Sequence, residues 1–397
     1  MKLIERNFYL DKLKNVVGTP DIKVITGIRR CGKSKLLQEF QQYIENEIKN
    51  CNIIHINFNL SKYNKLKESA TLIDYVENLY DAEKINFILI DEIQMCNGFE
   101  EAINNFHAEE KYDIYITGSN AFLMSSDLAT LFTGRTFEIQ VYPFSFKEYL
   151  DYYKYTDIQE AFDKYVYEGG MAGSYLYNTR EEKYSYIRGV LNTLIIRDIK
   201  QKYKIKNADV LAQLSNFLMD NISNLTSINS ITNSLNKSNI NITDKTINKY
   251  IDYLCNAYAF YKVPKYDIRG KEYLSNKNKY YIADHSFRYA ILGTNNMDYG
   301  RVYENIVAIE LLKRGFEVYA GELYNKEIDF VAIKQGKKYY MQVSDDISNK
   351  NTIERETGSL LKIMDGYPKM IIARTRHNTY QYEGIDIIDI ANWLIEE

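Results

Sequence analysis

Five short runs in the first 145 residues are almost continuously apolar: Asp21–Thr26, Asn52–Phe58, Asn86–Asp91, Tyr112–Thr117 and Phe137–Tyr142. Runs of that length without strict alternation predict strands covered on both faces, as in a parallel sheet. Between them, Lys33–Glu47 and Gly98–Glu110 carry apolar residues at helical spacing. Strand–helix alternation of this kind predicts a doubly wound α/β domain over 1–145.

The pattern changes after Pro143. From Phe146 to Lys204 the chain reads as a helical connector, broken at Gly169-Gly170. Over 205–295, three helical segments (Ala208–Asn221, Ser227–Leu235, Thr243–Ala257) precede a strand pair, Ala259–Tyr266 and Lys279–Ala283, around Arg269-Gly270-Lys271. Three helices and a hairpin outline a winged helix, a variant of helix-turn-helix. A helix at Val302–Arg314 and runs at Phe316–Tyr319, Glu327–Ile333, Lys338–Val343 and Lys369–Ile372 then predict a smaller α/β domain over 296–397.

Composition narrows the class. With 397 residues, 45% hydrophobic and 26% charged, the chain is that of a multidomain globular protein. No apolar run approaches the ~20 residues of a membrane span, and the N-terminus lacks a secretory h-region, so a cytoplasmic protein without membrane partners is expected. Cys31, Cys51, Cys96 and Cys255 form no C-x-x-C pair, and the four histidines do not cluster with them, which argues against a structural zinc site. Net charge is −3, yet residues 199–280 hold thirteen Lys/Arg against six Asp/Glu. Such asymmetry marks either a nucleic-acid face or a solvated lysine surface.

The sharpest signal is Gly27-Ile28-Arg29-Arg30-Cys31-Gly32-Lys33-Ser34, which matches G-x-x-x-x-G-K-[ST] between a predicted strand and a predicted helix. The glycines let successive backbone N–H groups converge on phosphate oxygens at a helix N-terminus, with Lys35 in its first turn. Lys33 would neutralise β/γ-phosphate charge and the Ser34 hydroxyl would ligate Mg²⁺. The run Phe87–Ile90 ends in Asp91-Glu92, which places Asp91 to hold Mg²⁺ and Glu92 to polarise an attacking water. The third strand runs into Gly118-Ser119-Asn120, so that Asn120 or Ser119 could orient that water. Arg135 stands just before the last strand, either as a cation for the γ-phosphate or as a helix-end arginine.

These motifs, TGIRRCGKS, FILIDEIQ, YITGSNAFLMS and LFTGRTFEIQVYPFSFKEYL, resemble those of the AAA-type P-loop ATPases in the prokaryotic "ATPase plus DUF4143" family. The tail from Gly300 resembles that family's C-terminal domain, so the likeness spans essentially the whole chain. It implies an additional-strand sheet, with ATP rather than GTP as nucleotide, and hydrolysis to ADP and phosphate. In many related ATPases an arginine in the place of Arg135 acts across a subunit interface, which would imply a homo-oligomer.

The last domain also resembles restriction-endonuclease-like folds of the PD-(D/E)xK class. In these, an acid on the first helix, an Asp on the second strand and an E-x-K on the third gather metal at a scissile phosphate. Glu304 or Glu310 fills the helix position and Asp329 the strand, but the third motif reads Gln342-Val343-Ser344. Gln supplies no anionic ligand and Ser no cation, so an inactive nuclease-like domain is expected, with Glu304 and Asp329 in a polar network with Arg301 and Asn305. In the middle module, Thr243–Leu254 exposes Lys245, Asn248 and Lys249 in the manner of a recognition helix, and the turn at 267–271 could lie along phosphates. Double-stranded DNA and a protein partner are both open there. The leading expectation is an Mg²⁺-dependent ATPase whose turnover rearranges the C-terminal half. The alternative is a nucleotide-gated binding scaffold.

Overall fold

The computed structural model describes residues 4–118, 132, 134–205, 207–237, 242–270, 272–294, 297–324 and 326–396. It falls into two compact units, 1–141 and 142–397. Among the described residues, no helix is long and apolar enough to cross a membrane.

In the first unit, strands β1 (Ile22–Thr26), β2 (Cys51–Asn57), β3 (Ile85–Asp91), β4 (Tyr112–Thr117) and β5 (Thr136–Gln140) form one sheet in the order β2-β3-β4-β1-β5. All pairings are parallel. The β4 strand lies between the phosphate-loop strand and the acid-bearing strand, the additional-strand arrangement that the sequence leads one to expect. Helices α1 (Asn7–Lys14), α2 (Lys33–Glu47), α3 (Ser69–Asn78) and α4 (Phe99–Ala108) cover the sheet. Successive strand side chains point to opposite faces. Val24, Ile56, Ile90 and Ile116 accordingly share one core with Leu72, Val76, Ile103 and Phe106 of α3 and α4. Tyr115 meets Phe40 of α2 on the other face. The charge inside the otherwise apolar β1 is paired there, Lys23 Nζ lying 2.6 Å from Asp113. Charge breaks the N-terminal segment, yet α1 forms, because Tyr9, Leu10 and Leu13 recur at helical spacing and are buried.

In the second unit, α5 (Phe146–Tyr153), α6 (Ile158–Glu168) and α7 (Arg180–Thr193) lead through a π-helical turn at Leu194–Ile199. Capping boxes at Ser145/Glu148 and Thr179/Glu182 start α5 and α7. Next come α8 (Ala208–Asp220), α9 (Ile228–Asn236), α10 (Asp244–Asn256) and the hairpin β6 (Phe260–Asp267)–β7 (Glu272–Ile282). Thr226, between α8 and α9, bridges to Asn278 of β7. After α11 (Ser286–Leu292) and α12 (Tyr299–Lys313) come β8 (Glu317–Leu323), β9 (Lys326–Lys334), β10 (Lys337–Ser344), α13 (Lys350–Leu360), β11 (Lys369–Ala373), β12 (Tyr380–Tyr382), β13 (Ile385–Asp389) and α14 (Ile390–Ile395).

The structure differs from the sequence-based partition of 146–397 into three pieces. The β6–β7 hairpin is the edge of one eight-stranded sheet, β12-β13-β11-β10-β9-β8-β6-β7. β6 pairs in parallel with β8, and Arg374, the residue after β11, reaches Asp163 of α6 at 2.8 Å. These are long-range pairings, and no local pattern carries them.

Candidate active site

The loop Gly27–Gly32 joins β1 to α2 and bends through left-handed backbone at Gly27 (φ 132°), Arg30 (66°) and Gly32 (106°). Gly27 is required twice over: besides its φ, a Cβ there would lie 2.0 Å from the Val141 carbonyl oxygen. Ile28 and Cys31 are buried and anchor the loop. Arg29 is half-buried and Arg30 exposed. Lys33, only 7% exposed, donates to the carbonyls of Gly27 (2.7 Å) and Ile28 (3.1 Å). Lys35 points away to Gln38 and offers the site only its backbone.

The acids arrive from β3. Asp91 is buried and accepts from Ser34 Oγ (2.9 Å), Thr117 Oγ1 (2.5 Å) and Asn57 Nδ2 (2.9 Å). Burial pushes its carboxyl above the ordinary carboxylate range, against the pull of the Thr117 and Ser34 hydroxyls and of Lys33. Parallel register brings these groups together: Asn57 of β2 stands opposite Asp91, and β4 ends at Thr117 on the other side of β3. The paired Ser34 hydroxyl and Asp91 carboxylate form an oxygen-only donor set, which suits a hard cation such as Mg²⁺. Glu92 follows in left-handed conformation (φ 60°, ψ 48°), with its N–H on Thr117 Oγ1 (3.3 Å) and its carboxylate hydrogen-bonded by Gln94 Nε2.

Lys33, Ser34, Asp91 and Glu92 are thus drawn to one end of the sheet. Asn120 and Ser119 lie outside the described residues, and the hydroxyl seen at the end of the third strand is that of Thr117. Arg135 is not brought in. It is exposed, and its carbonyl accepts from Ile22 N at the start of β1. Because β1 and β5 run parallel over five residues, Arg135 sits at the opposite sheet end from the phosphate loop, roughly 20 Å along the strands. A second buried cation attends the loop unannounced. Arg6, 3% exposed, donates through Nη1 to the Cys31 carbonyl (2.8 Å), while its own backbone N–H is held by Glu39 of α2. For Asn57 and Thr117 the available signal was a polar residue closing a buried strand. For Arg6 there was none.

In the second unit, the acids do not sit in the network expected. Arg301 pairs with Asp298, and the Asn305 amide bonds the Ile282 backbone. Glu310 pairs with Lys313 and Arg314, away from Asp329. Instead, fully buried Lys279 of β7 meets Glu304 (2.7 Å), Glu327 (2.5 Å) and Asp329 (3.4 Å). Gln342 stands beside Asp329, accepting from its backbone N–H at 2.6 Å. Among the described residues no group of three His, Cys, Asp or Glu side chains is placed to hold a metal.

Two family models match the sequence: an AAA domain over 19–150, and a domain of unknown function, DUF8612, over 159–298. The second is not the DUF4143 to which the resemblance led. An uncharacterized protein of Haemophilus influenzae is 37% identical, with 99% of each chain aligned. An uncharacterized protein of Methanocaldococcus jannaschii is 27% identical over 98% of this chain and 88% of its own. Among solved structures, a Walker-type ATPase of Pyrococcus abyssi aligns with 72% of this chain and 95% of its own, at 17% identity and a TM-score of 0.45. AMPPCP-bound DnaA of Aquifex aeolicus aligns over 62% and 85%, at 14% identity and a TM-score of 0.31. Both likenesses are too loose to speak for this chain's activity.

Proposed function

This chain belongs to the same family as the Haemophilus influenzae protein and carries an AAA domain, and from that premise we propose that it binds and hydrolyses ATP with Mg²⁺. The observation that carries the reading is the meeting of Ser34 and Asp91 at 2.9 Å, which joins the phosphate loop to the acid-bearing strand end. Backbone N–H groups of Gly27–Lys35 cradle the phosphates, and Lys33 exchanges two neutral carbonyl partners for phosphate oxygens. Ser34 and Asp91 would hold Mg²⁺, which would supply neutralisation of phosphate charge. Glu92 accepts the proton of the attacking water. Asn120 or Ser119 orients that water, and Arg135, remote from its own site, serves a neighbouring copy in a homo-oligomer.

The energy of turnover rearranges the 142–397 unit. There, the sequence of α8, the Thr226 bridge, α9, α10 and the β6–β7 hairpin supports a winged-helix module. Lys245, Asn248 and Lys249 on α10 and Arg269 at the hairpin turn are exposed, and they would meet double-stranded DNA. The sheet β8–β11 with α12 supports a nuclease-like fold in which Lys279 pairs with the acids Glu304 and Asp329.

The test is phosphate release from Mg²⁺-ATP, with and without duplex DNA, at low and moderate salt. Turnover stimulated by DNA in a salt-sensitive way supports the whole reading. Turnover indifferent to DNA assigns the basic module to a protein partner, and binding without turnover leaves a nucleotide-gated scaffold. Glu92→Gln should retain ATP and lose turnover by ~100-fold or more. An unaltered rate would remove Glu92 from the base role.

A further inference from the structure

The carboxylate of Glu92 is held by a single side chain, and that side chain is poorly suited to the place it occupies. The backbone of Glu92 is fixed on both sides: its N–H is bound by Thr117 Oγ1, its carbonyl accepts from Met95 N at 3.0 Å, and its φ of 60° is one that L residues seldom adopt. None of this fixes the side chain, which retains three torsions. Among the described residues, the one donor to its carboxylate is Gln94 Nε2, on the 3₁₀ turn Ile93–Met95 that follows the strand.

The other end of the same amide is buried without a hydrogen-bond partner among the described residues. A buried carbonyl oxygen left unpaired is a net cost, which an apolar side chain of the same length would remove. Turning the amide over is no remedy, because its oxygen would then face a carboxylate oxygen. Among the described residues, then, the single hydrogen bond of this amide is the one it gives to Glu92.

We infer that Gln94 is the positioning residue for Glu92: its amide ties up one carboxylate oxygen and fixes the side chain, leaving the other oxygen to receive the proton of the attacking water. Gln94 acts on the reaction only through Glu92. It acts by lowering the conformational freedom that Glu92 must lose before reaction, which is how oriented catalytic groups gain rate. The inference rests on the reading of Glu92 as the base.

The experiment uses the full chain with Gln94→Met and, should that variant not fold, Gln94→Leu. Both keep the bulk and remove the donor. Three quantities are measured: ATP affinity, the rate of phosphate release at saturating Mg²⁺-ATP, and the melting temperature without nucleotide. The expected result is an unchanged affinity, a rate lowered about tenfold, and a melting temperature equal to or above the parent's. A lowered melting temperature with an unchanged rate would make Gln94 structural and overturn the inference. Glu92→Gln, run alongside, separates the two claims. If it is inactive while Gln94→Met turns over normally, only the role of Gln94 fails; if it turns over normally, the base reading fails and takes this inference with it.

Discussion

Each unit buries a lysine beside carboxylates, and the two lysines are held in opposite ways. Lys33 donates to two backbone carbonyls and has no ion-pair partner among the described residues, although Asp91 is near enough to feel its charge. Lys279 is enclosed by three acids. A hydrogen bond to a neutral carbonyl contributes about 1 kcal/mol net, so phosphate oxygens can displace it. A buried ammonium hydrogen-bonded to Glu304 and paired with Asp329 and Glu327 has no such exchange open to it, because its departure leaves buried Glu304 and mostly buried Asp329 without their partner. Burial acts to lower the affinity of Lys279 for its proton, and the carboxylates of Glu304, Asp329 and Glu327 more than offset it, so its pKa is raised. The same residue type therefore makes an available ligand site in one unit and a closed one in the other. The decisive difference is the charge of its partners.

Substitutions should separate the two. The largest effect is expected from Lys33→Ala, which should abolish nucleotide binding while leaving the fold intact. Tight ATP binding by that variant, measured by equilibrium titration, would sink the phosphate-loop assignment. Lys279→Met should do the converse. It leaves three acids without their cation and should destabilise the second unit by about 3–5 kcal/mol, read by denaturant unfolding, with ATP affinity unchanged. Stability equal to the parent's would show that the acids are not held by Lys279.

A smaller effect is expected at Arg6, which braces the Cys31–Gly32 peptide from outside the loop. Arg6→Ala should weaken ATP and ADP binding about tenfold, the loss of one charge-assisted hydrogen bond, with little change in the rate at saturation. Equal affinity would leave Arg6 a packing residue. The smallest effect concerns Glu304, whose carboxyl burial pushes up to about 8 despite the nearby Lys279 ammonium. The folded chain then holds this proton more tightly than the unfolded one, whose ordinary value is 4.5. Its stabilising contribution is complete below that value and lost as pH rises through about 8. Glu304→Gln should flatten that alkaline decline in melting temperature, and an unaltered pH profile would count against it.

The phosphate loop, the Asp91-Glu92 strand end, the five strands and α2 were all legible in the sequence. Each is written in contiguous residues whose spacing matches a strand, a helix or a glycine turn. The run that forms β4 was legible as a strand, while its place between β1 and β3 was implied only by the family resemblance.

Convergence of residues far apart in the chain was left to the tertiary structure. Asn57 and Thr117 reach Asp91 only because β2, β3 and β4 lie side by side in one register. Arg6 meets Cys31 across α1 and the loop, and Lys279 enters the acids of α12 and β9 only because the hairpin joins the C-terminal sheet. The place of Arg135 was decided in the same way: its neighbourhood in sequence gave no hint that parallel strands would set it at the far end of the sheet from its own phosphate loop. Period and motif are local properties of the chain. Which strand lies beside which is settled by burying every apolar face at once, and the side chains that a site gathers follow from that pairing.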